Sequence, residues 1–270
     1  MSSIEELAAP LLLGPVWNWF LYGVLIVQFY VYSYNFPGDG DNRYIKLLGT
    51  MYSIFFLETV QTALSGADLY YWFSVGFGNE DQLVTPFASF FDLQILGSVV
   101  SLSVQLFFVY RIWLLSEKRA RWLCVSICLL SVISALGAFT TGIISYLANL
   151  FIAFLQLEIL EMTWIAANML SNLLIASTML YYLRRVWDRD GYLSDHVLVS
   201  IVRLTVETNL VTTFVSIVSF LIITVYPHKI FYLCPTYILG KLYSNTLLVS
   251  LNNRISIRPT YESSGKAFDC

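Results

Sequence analysis

Seven stretches of the chain are apolar over the twenty or so residues that a helix needs to cross a hydrocarbon core about 30 Å thick. They run approximately 14–34, 47–67, 89–112, 122–145, 158–182, 200–225 and 232–251. The breaks between them carry turn chemistry or charge: Asn35 to Asp41, Gly76 to Pro86, Ser116 to Arg119, Arg184 to Asp195, and Pro227 to Lys229. Only the break around Leu147 to Leu157 is apolar, yet 122–182 is three times too long for a single span. The pattern predicts an all-α polytopic membrane protein with a seven-transmembrane-helix bundle. Residues 1–13 are expected to form a short outer N-terminus, 14–251 the transmembrane domain, and 252–270 a disordered cytosolic tail. Arg184 to Asp195 is expected to be a water-exposed loop, with a turn at Arg189 to Gly191 and a helix cap at Ser194 or Asp195.

Composition agrees. Hydrophobic residues make up 57% of the chain and charged residues 12%, against about 25% charged in ordinary globular domains. So few charges cannot cover a water-facing surface. Their placement fixes an orientation. Arg43 and Lys46, then Arg111, Lys118, Arg119 and Arg121, then Arg184, Arg185, Arg189 and Arg203, then Arg254, Arg258 and Lys266 all fall on one side. The opposite side has only Lys229, and Lys241 lies within the seventh stretch. The N-terminus is therefore expected outside and the C-terminus in the cytosol. Tryptophans and tyrosines near the span ends, such as Trp17, Trp72, Trp113 and Trp122, suit headgroup anchors. No basic residue precedes the first span, so no cleavable signal peptide is expected. Cys270 ends the chain, so no prenylation box is expected either. The four cysteines fit neither a disulfide framework nor a zinc pattern. The sequence calls for no metal, cofactor or nucleic acid. The bilayer is the expected partner, a plasma membrane or an endomembrane suits equally, and no cytosolic partner is specified.

Ionisable groups inside a bilayer are costly unless paired, which makes them functional candidates. Glu58, Asp92, Glu207 and Lys241 stand out. Glu58 and Lys241 lie roughly 15–16 Å from the cytosolic ends of their spans, near the midplane. In a sequentially wound bundle the second and seventh helices are neighbours around the first, so the two should pair. That pair is either a register-fixing lock or the polar floor of a ligand cavity, with Glu58, Gln61, Lys241 and Asn245 as ligand-binding candidates. Lys241, Asn245 and Asn252 share one face of the seventh helix, flanked by Ser244 and Thr246, and the asparagines could equally be interhelical glue. Glu207 is one turn from Arg203, which suggests a local ion pair. Asp92, Glu158 and Glu161 lie near outer span ends, where snorkelling to water is expected. Gln61, Gln94, Asn168 and Asn172 could line an interior.

The run Lys241-Leu-Tyr-Ser-Asn-Thr-Leu-Leu-Val-Ser-Leu-Asn-Asn-Arg254 resembles a fungal, mainly mushroom-type, seven-transmembrane family of unknown function, domain-of-unknown-function family 6534. Gly14-Pro15, Leu21-Tyr22-Gly23, Leu57-Glu-Thr59, the Gln105 to Ile112 run and Arg203-Leu-Thr-Val206 carry the same likeness over about 14–258. The resemblance implies the topology and no activity. The family pattern usually has Gln-Thr where this chain has Glu207-Thr208.

Two readings of function stay open. The first is a receptor-like or small apolar-ligand-binding protein, although the acidic-Arg-Tyr, Cys-Trp-x-Pro and Asn-Pro-x-x-Tyr motifs of class A receptors are missing. The second resembles the small seven-helix fungal terpene cyclases, with Glu58 as the catalytic acid and Glu207 as a second candidate. A retinal Schiff base at Lys241 lacks a carboxylate at matching depth in the third span. Transport lacks inverted repeats and broken helix pairs.

Overall fold

A computed structural model describes residues 4–35, 42–79, 82–83, 85, 87–116, 119–148, 158–190, 196–227 and 229–252. Among the described residues there is no strand, and all regular secondary structure is helical. Helix α1 is Ile4–Asn35, and α2 is Asn42–Tyr70, which runs on into a π-helical turn, Tyr71–Val75. Helix α3 begins as a π-helix at Phe90–Leu96 and continues as an α-helix at Gly97–Leu115. Then come α4 at Arg121–Ala148, α5 at Glu158–Asp190 and α6 at His196–Val225. A 3₁₀ turn at Ile230–Tyr232 leads into α7 at Leu233–Asn252.

Five of these helices are long and apolar enough to cross a membrane, by length and composition: α1, α3, α4, α5 and α6. The chain is an integral membrane protein. Its outer surface shows why. Val27, Phe56, Leu136 and Phe214 are exposed, each on a different helix, while the interior collects serines, threonines, amides and acids. That inversion of the globular pattern suits a lipid solvent.

Helix α7 is central: none of its residues is exposed. It packs most extensively on α1, then on α6. Gly14 makes the α1 approach feasible, since a Cβ there would sit 2.7 Å from Tyr237 Cδ2. Small residues at such crossings are the usual device of membrane helices.

The apolar core is split in two. One cluster gathers Leu25, Met51, Val104, Phe108, Ile127, Ile175, Met179 and Leu247. The other gathers Leu11, Trp72, Leu93, Ala138, Trp164, Ile223 and Tyr237. Along α4 the first cluster takes Ile127 and the second Ala138, with Ser131 and Ser134 buried between them. Along α5 the order is Trp164 and Ile165, then Asn168, Ser171 and Asn172, then Ile175 and Met179. Helices α1, α2 and α6 follow the same scheme, so a polar layer lies between two apolar ones.

Several helix limits differ from the sequence pattern. Helix α1 starts at Ile4 and carries Pro10 and Pro15 within it, where Gly14-Pro15 reads as a helix opening. The extra turns are held because Leu11 is fully buried and Glu6 pairs with Lys229. Helix α2 runs past 67 and α5 past 182, since polar residues alone do not end a helix that has left the hydrocarbon. The expected turn Arg189 to Gly191 therefore begins inside α5, and its remainder, with the Ser194 and Asp195 caps, lies outside the described residues, as do most of the 147–157 break and the tail from 253.

Candidate functional site

The polar layer has three parts. At its centre, Lys241 on α7 pairs with the Glu58 carboxylate on α2, and both side chains are fully buried. The ammonium also donates to the Glu58 backbone carbonyl at 2.9 Å and to Gln61 Oε1 at 3.2 Å. Its three protons thus have three acceptors. Ser244, one turn along α7, donates to the other Glu58 oxygen. The Lys241 ammonium lies 5.3 Å from the Tyr22 ring centroid, and Tyr22 is itself hydrogen-bonded to Thr59 at 2.8 Å. A buried ion pair persists only when its remaining hydrogen-bonding capacity is met, and here it is.

The asparagine stripe of α7 faces α1. Asn245 Nδ2 donates to the Leu21 carbonyl at 3.2 Å and to the Lys241 carbonyl at 2.8 Å, while Asn252 donates to the Gln28 carbonyl at 2.9 Å. Asn18 returns a bond from α1 to the Tyr237 carbonyl at 3.4 Å. These amides hold the α1–α7 seam. Glu207 is elsewhere: it pairs with Arg203 at 2.9 Å on the exposed face of α6, and both side chains are more than half exposed.

The second part centres on Tyr243. Its hydroxyl donates to Asn168 Oδ1 at 2.8 Å and accepts from Asn172 Nδ2. Gln105 Nε2 reaches Asn168 Oδ1 at 2.8 Å, Asn172 Oδ1 at 3.2 Å and the Tyr243 hydroxyl at 3.5 Å. Asn172 also donates to Ser216 at 2.6 Å. One tyrosine therefore joins α3, α5, α6 and α7. Sequence reading picked out Asn168 and Asn172 but missed Gln105, Ser216 and Tyr243. Gln105 opens the Gln105 to Ile112 run that carries the family likeness, and a lone amide in an otherwise apolar stretch was its further signal.

Between these two parts lies a cavity with about 40 Å³ of room for water-sized molecules. Its lining includes Gln61, Ser98, Ser134, Asn168, Thr236 and Tyr243. The volume suits roughly three waters, at about 10–15 Å³ each. Gln61 Nε2, buried and without a partner, points to the same conclusion.

The third part corrects the sequence reading. Asp92 does not reach water; it is fully buried, as is Asp68, which the sequence reading passed over. Asp68 Oδ1 accepts the Ala88 N–H at 2.7 Å and so caps the start of α3 from a neighbouring helix. Glu161 is buried too, accepting from Trp164 Nε1 at 2.7 Å and Gln94 Nε2 at 3.2 Å. The reason is helix length. With α2 continuing to Tyr70 and a π-turn beyond, Asp68 stays inside the bundle, and the wide turn at Phe90–Leu96 turns Asp92 inward. The side chain of Glu158 lies outside the described residues.

Fold and site together define an all-helical integral membrane protein with a buried polar layer. Residues 168–256 match a family of unknown function, DUF6534. That segment holds Asn168, Asn172, Ser216, Lys241 and Tyr243 of the polar layer. No curated protein and no solved structure matches the chain.

Proposed function

We propose that the chain is a seven-helix membrane protein, N-terminus outside and C-terminus in the cytosol, with a receptor-like role in which the Tyr243 joint is the switching element. Helices α2 and α7 join the five apolar helices as spans. They fall outside the five by apolarity, and each carries one half of the ion pair, whose charge the other half shields. The 13-to-1 asymmetry of basic residues supports the orientation.

The observation that carries the switching role is the redundancy around Tyr243. One hydroxyl faces three amide side chains from two other helices, beside a cavity that admits water. Such a set has more than one arrangement of similar energy, which is what a two-state element requires. The Glu58–Lys241 pair serves as the fixed point about which α3, α5 and α6 can shift.

A ligand acting on this centre must open it. Drug-sized ligands occupy about 300–1,000 Å³, far more than the cavity offers. The same limit disfavours the lyase reading, as does Glu58, whose two oxygens are taken by Lys241 and Ser244.

Spin labels at Leu114 on α3 and Arg203 on α6, both exposed, test the switch by pulsed dipolar spectroscopy in nanodiscs. Two distance populations are expected, with Tyr243→Phe shifting their ratio. A single distribution that Tyr243→Phe leaves unchanged would overturn the proposal.

A further inference from the structure

Four buried acids share one buried cation among the described residues: Glu58, Asp68, Asp92 and Glu161 against Lys241. Lys241 is committed to Glu58. Glu161 has two donors. Asp68 is only half met, with the Ala88 N–H on one oxygen, and Asp92 has Lys241 within electrostatic reach but no side-chain bond. Neither Asp92 oxygen has a hydrogen-bond partner, with only its own and the Leu93 backbone N–H nearby, and Asp68 Oδ2 is likewise unpartnered. Ala88 ties the two acids together: its N–H goes to Asp68 Oδ1 at 2.7 Å, and its carbonyl accepts the Asp92 N–H at 3.0 Å.

A second observation is independent of the acids. Tyr237 on α7 is fully buried, its hydroxyl has no partner, and its ring shares a buried cluster with Leu93, the neighbour of Asp92, and Trp72, one turn past Asp68. Tyrosine hydroxyls normally find a partner when buried. Two more unpartnered hydroxyls lie close in sequence to the acids: Ser65, one turn before Asp68 on α2, and Ser89, next to the N–H that caps Asp68. What is left over is a set of oxygens with lone pairs to give. Buried acceptors in such numbers cost several kcal/mol unless something satisfies them.

The chemistry narrows the occupant. An amine or guanidinium needs room beside the carboxylates, and the nearby cavity reaches neither aspartate. A soft transition metal needs imidazole or thiolate, and no three His, Cys, Asp or Glu come together among the described residues. Two carboxylates completed by neutral hydroxyl oxygens suit a small hard cation. We propose that Asp68 on α2, Asp92 on α3 and the Tyr237 hydroxyl on α7 bind a sodium or calcium ion at the end of the bundle where α3 and α7 begin.

Such an ion would tie together α2, α3 and α7, with π-helical turns following Asp68 and enclosing Asp92. It would also lie one turn from Lys241, on the α7 face that carries the polar centre.

Thermal unfolding of the full chain in nanodiscs, after chelator treatment, tests this at fixed pH and ionic strength. Sodium chloride replaces N-methylglucamine chloride stepwise in one arm, and calcium chloride is added in the other. A saturable rise of the midpoint in either arm is expected, and the arm identifies the ion. Asp92→Asn should abolish the shift, and Tyr237→Phe should weaken apparent affinity about 10–100-fold, as loss of a partner at a metal site does. Glu207→Gln, on the exposed face of α6, should leave it intact. Should Asp92→Asn fail to fold, radiolabelled sodium or calcium binding by the wild-type chain, compared with Tyr237→Phe, reads the same site directly. No cation-specific shift, as for a proton shared between the aspartates, or a shift that survives Asp92→Asn, overturns the proposal.

Discussion

Glu58 and Lys241 stabilise the bundle only as a pair. Taking away one partner leaves the other charged, buried and bonded to groups arranged for its opposite. Glu58→Gln or Lys241→Met should each cost about 3–5 kcal/mol, read as a lowered unfolding midpoint. The double change removes both charges and should be milder than either single one. A double variant as unstable as the sum of the singles would mean that the two act separately. Tyr243→Phe tests a neutral group in the same layer. It removes one hydroxyl from Asn168, Asn172 and Gln105 and should cost about 1–3 kcal/mol, because those amides lose a buried partner. Sequence reading found the ion pair because depth and topology both pointed to it. It missed Tyr243 and Asp68 for different reasons. A tyrosine in an apolar run reads as an anchor or as packing, and Asp68 fell one residue beyond a span limit that only the helix's real length corrects.

Among elements, the glycines separate close approach from open space. Gly137 on α4 faces α5 so tightly that a Cβ would lie 2.6 Å from Trp164 Cβ. Gly14 plays the same part on α1 against Tyr237. Gly23, on the same helix, has nothing within 4 Å of an added Cβ. Alanine at 137 or 14 should therefore lower the unfolding midpoint, since helices must part. Alanine at 23 should be neutral or stabilising by up to about 1 kcal/mol from helix propensity. A midpoint that rises for Gly137→Ala would contradict the packing. The seven apolar runs were legible as helices because hydropathy has the period and length of the bilayer built into it. Helix ends were not, because a helix need not stop where its apolar run stops, and α5 continues past 182 to Asp190. Nor were the π-turns, which answer to packing around Asp68 and Asp92 and leave no mark on composition.

For the molecule as a whole, the basic residues predict where each end lies. A cytosolic reporter fused after Cys270 should be active, and one fused before Met1 should not. A lumenal C-terminus would reverse the orientation and with it the assignment of the cytosolic face. Lipid-facing helices and buried amides could be anticipated from a charge content of 12%. The layering could not, because it depends on which residues of six helices come level with Lys241.

The central position of α7 also bears on how the chain is made. A helix with a lysine at its middle partitions poorly into lipid by itself, the lysine alone opposing insertion by about 2.5–3.5 kcal/mol. Helix α7 leaves the ribosome after the other six helices, and Glu58 on α2 has by then long emerged. Until α7 arrives, that acid waits unmet, and the groove on α1 that α7 fills stands open to lipid. Assembly of these seven helices thus waits for α7 to close on α1 and α2. A chain ending before α7 should be synthesised and then cleared by membrane quality control, and co-expressing residues 226–270 as a separate piece should restore its lifetime.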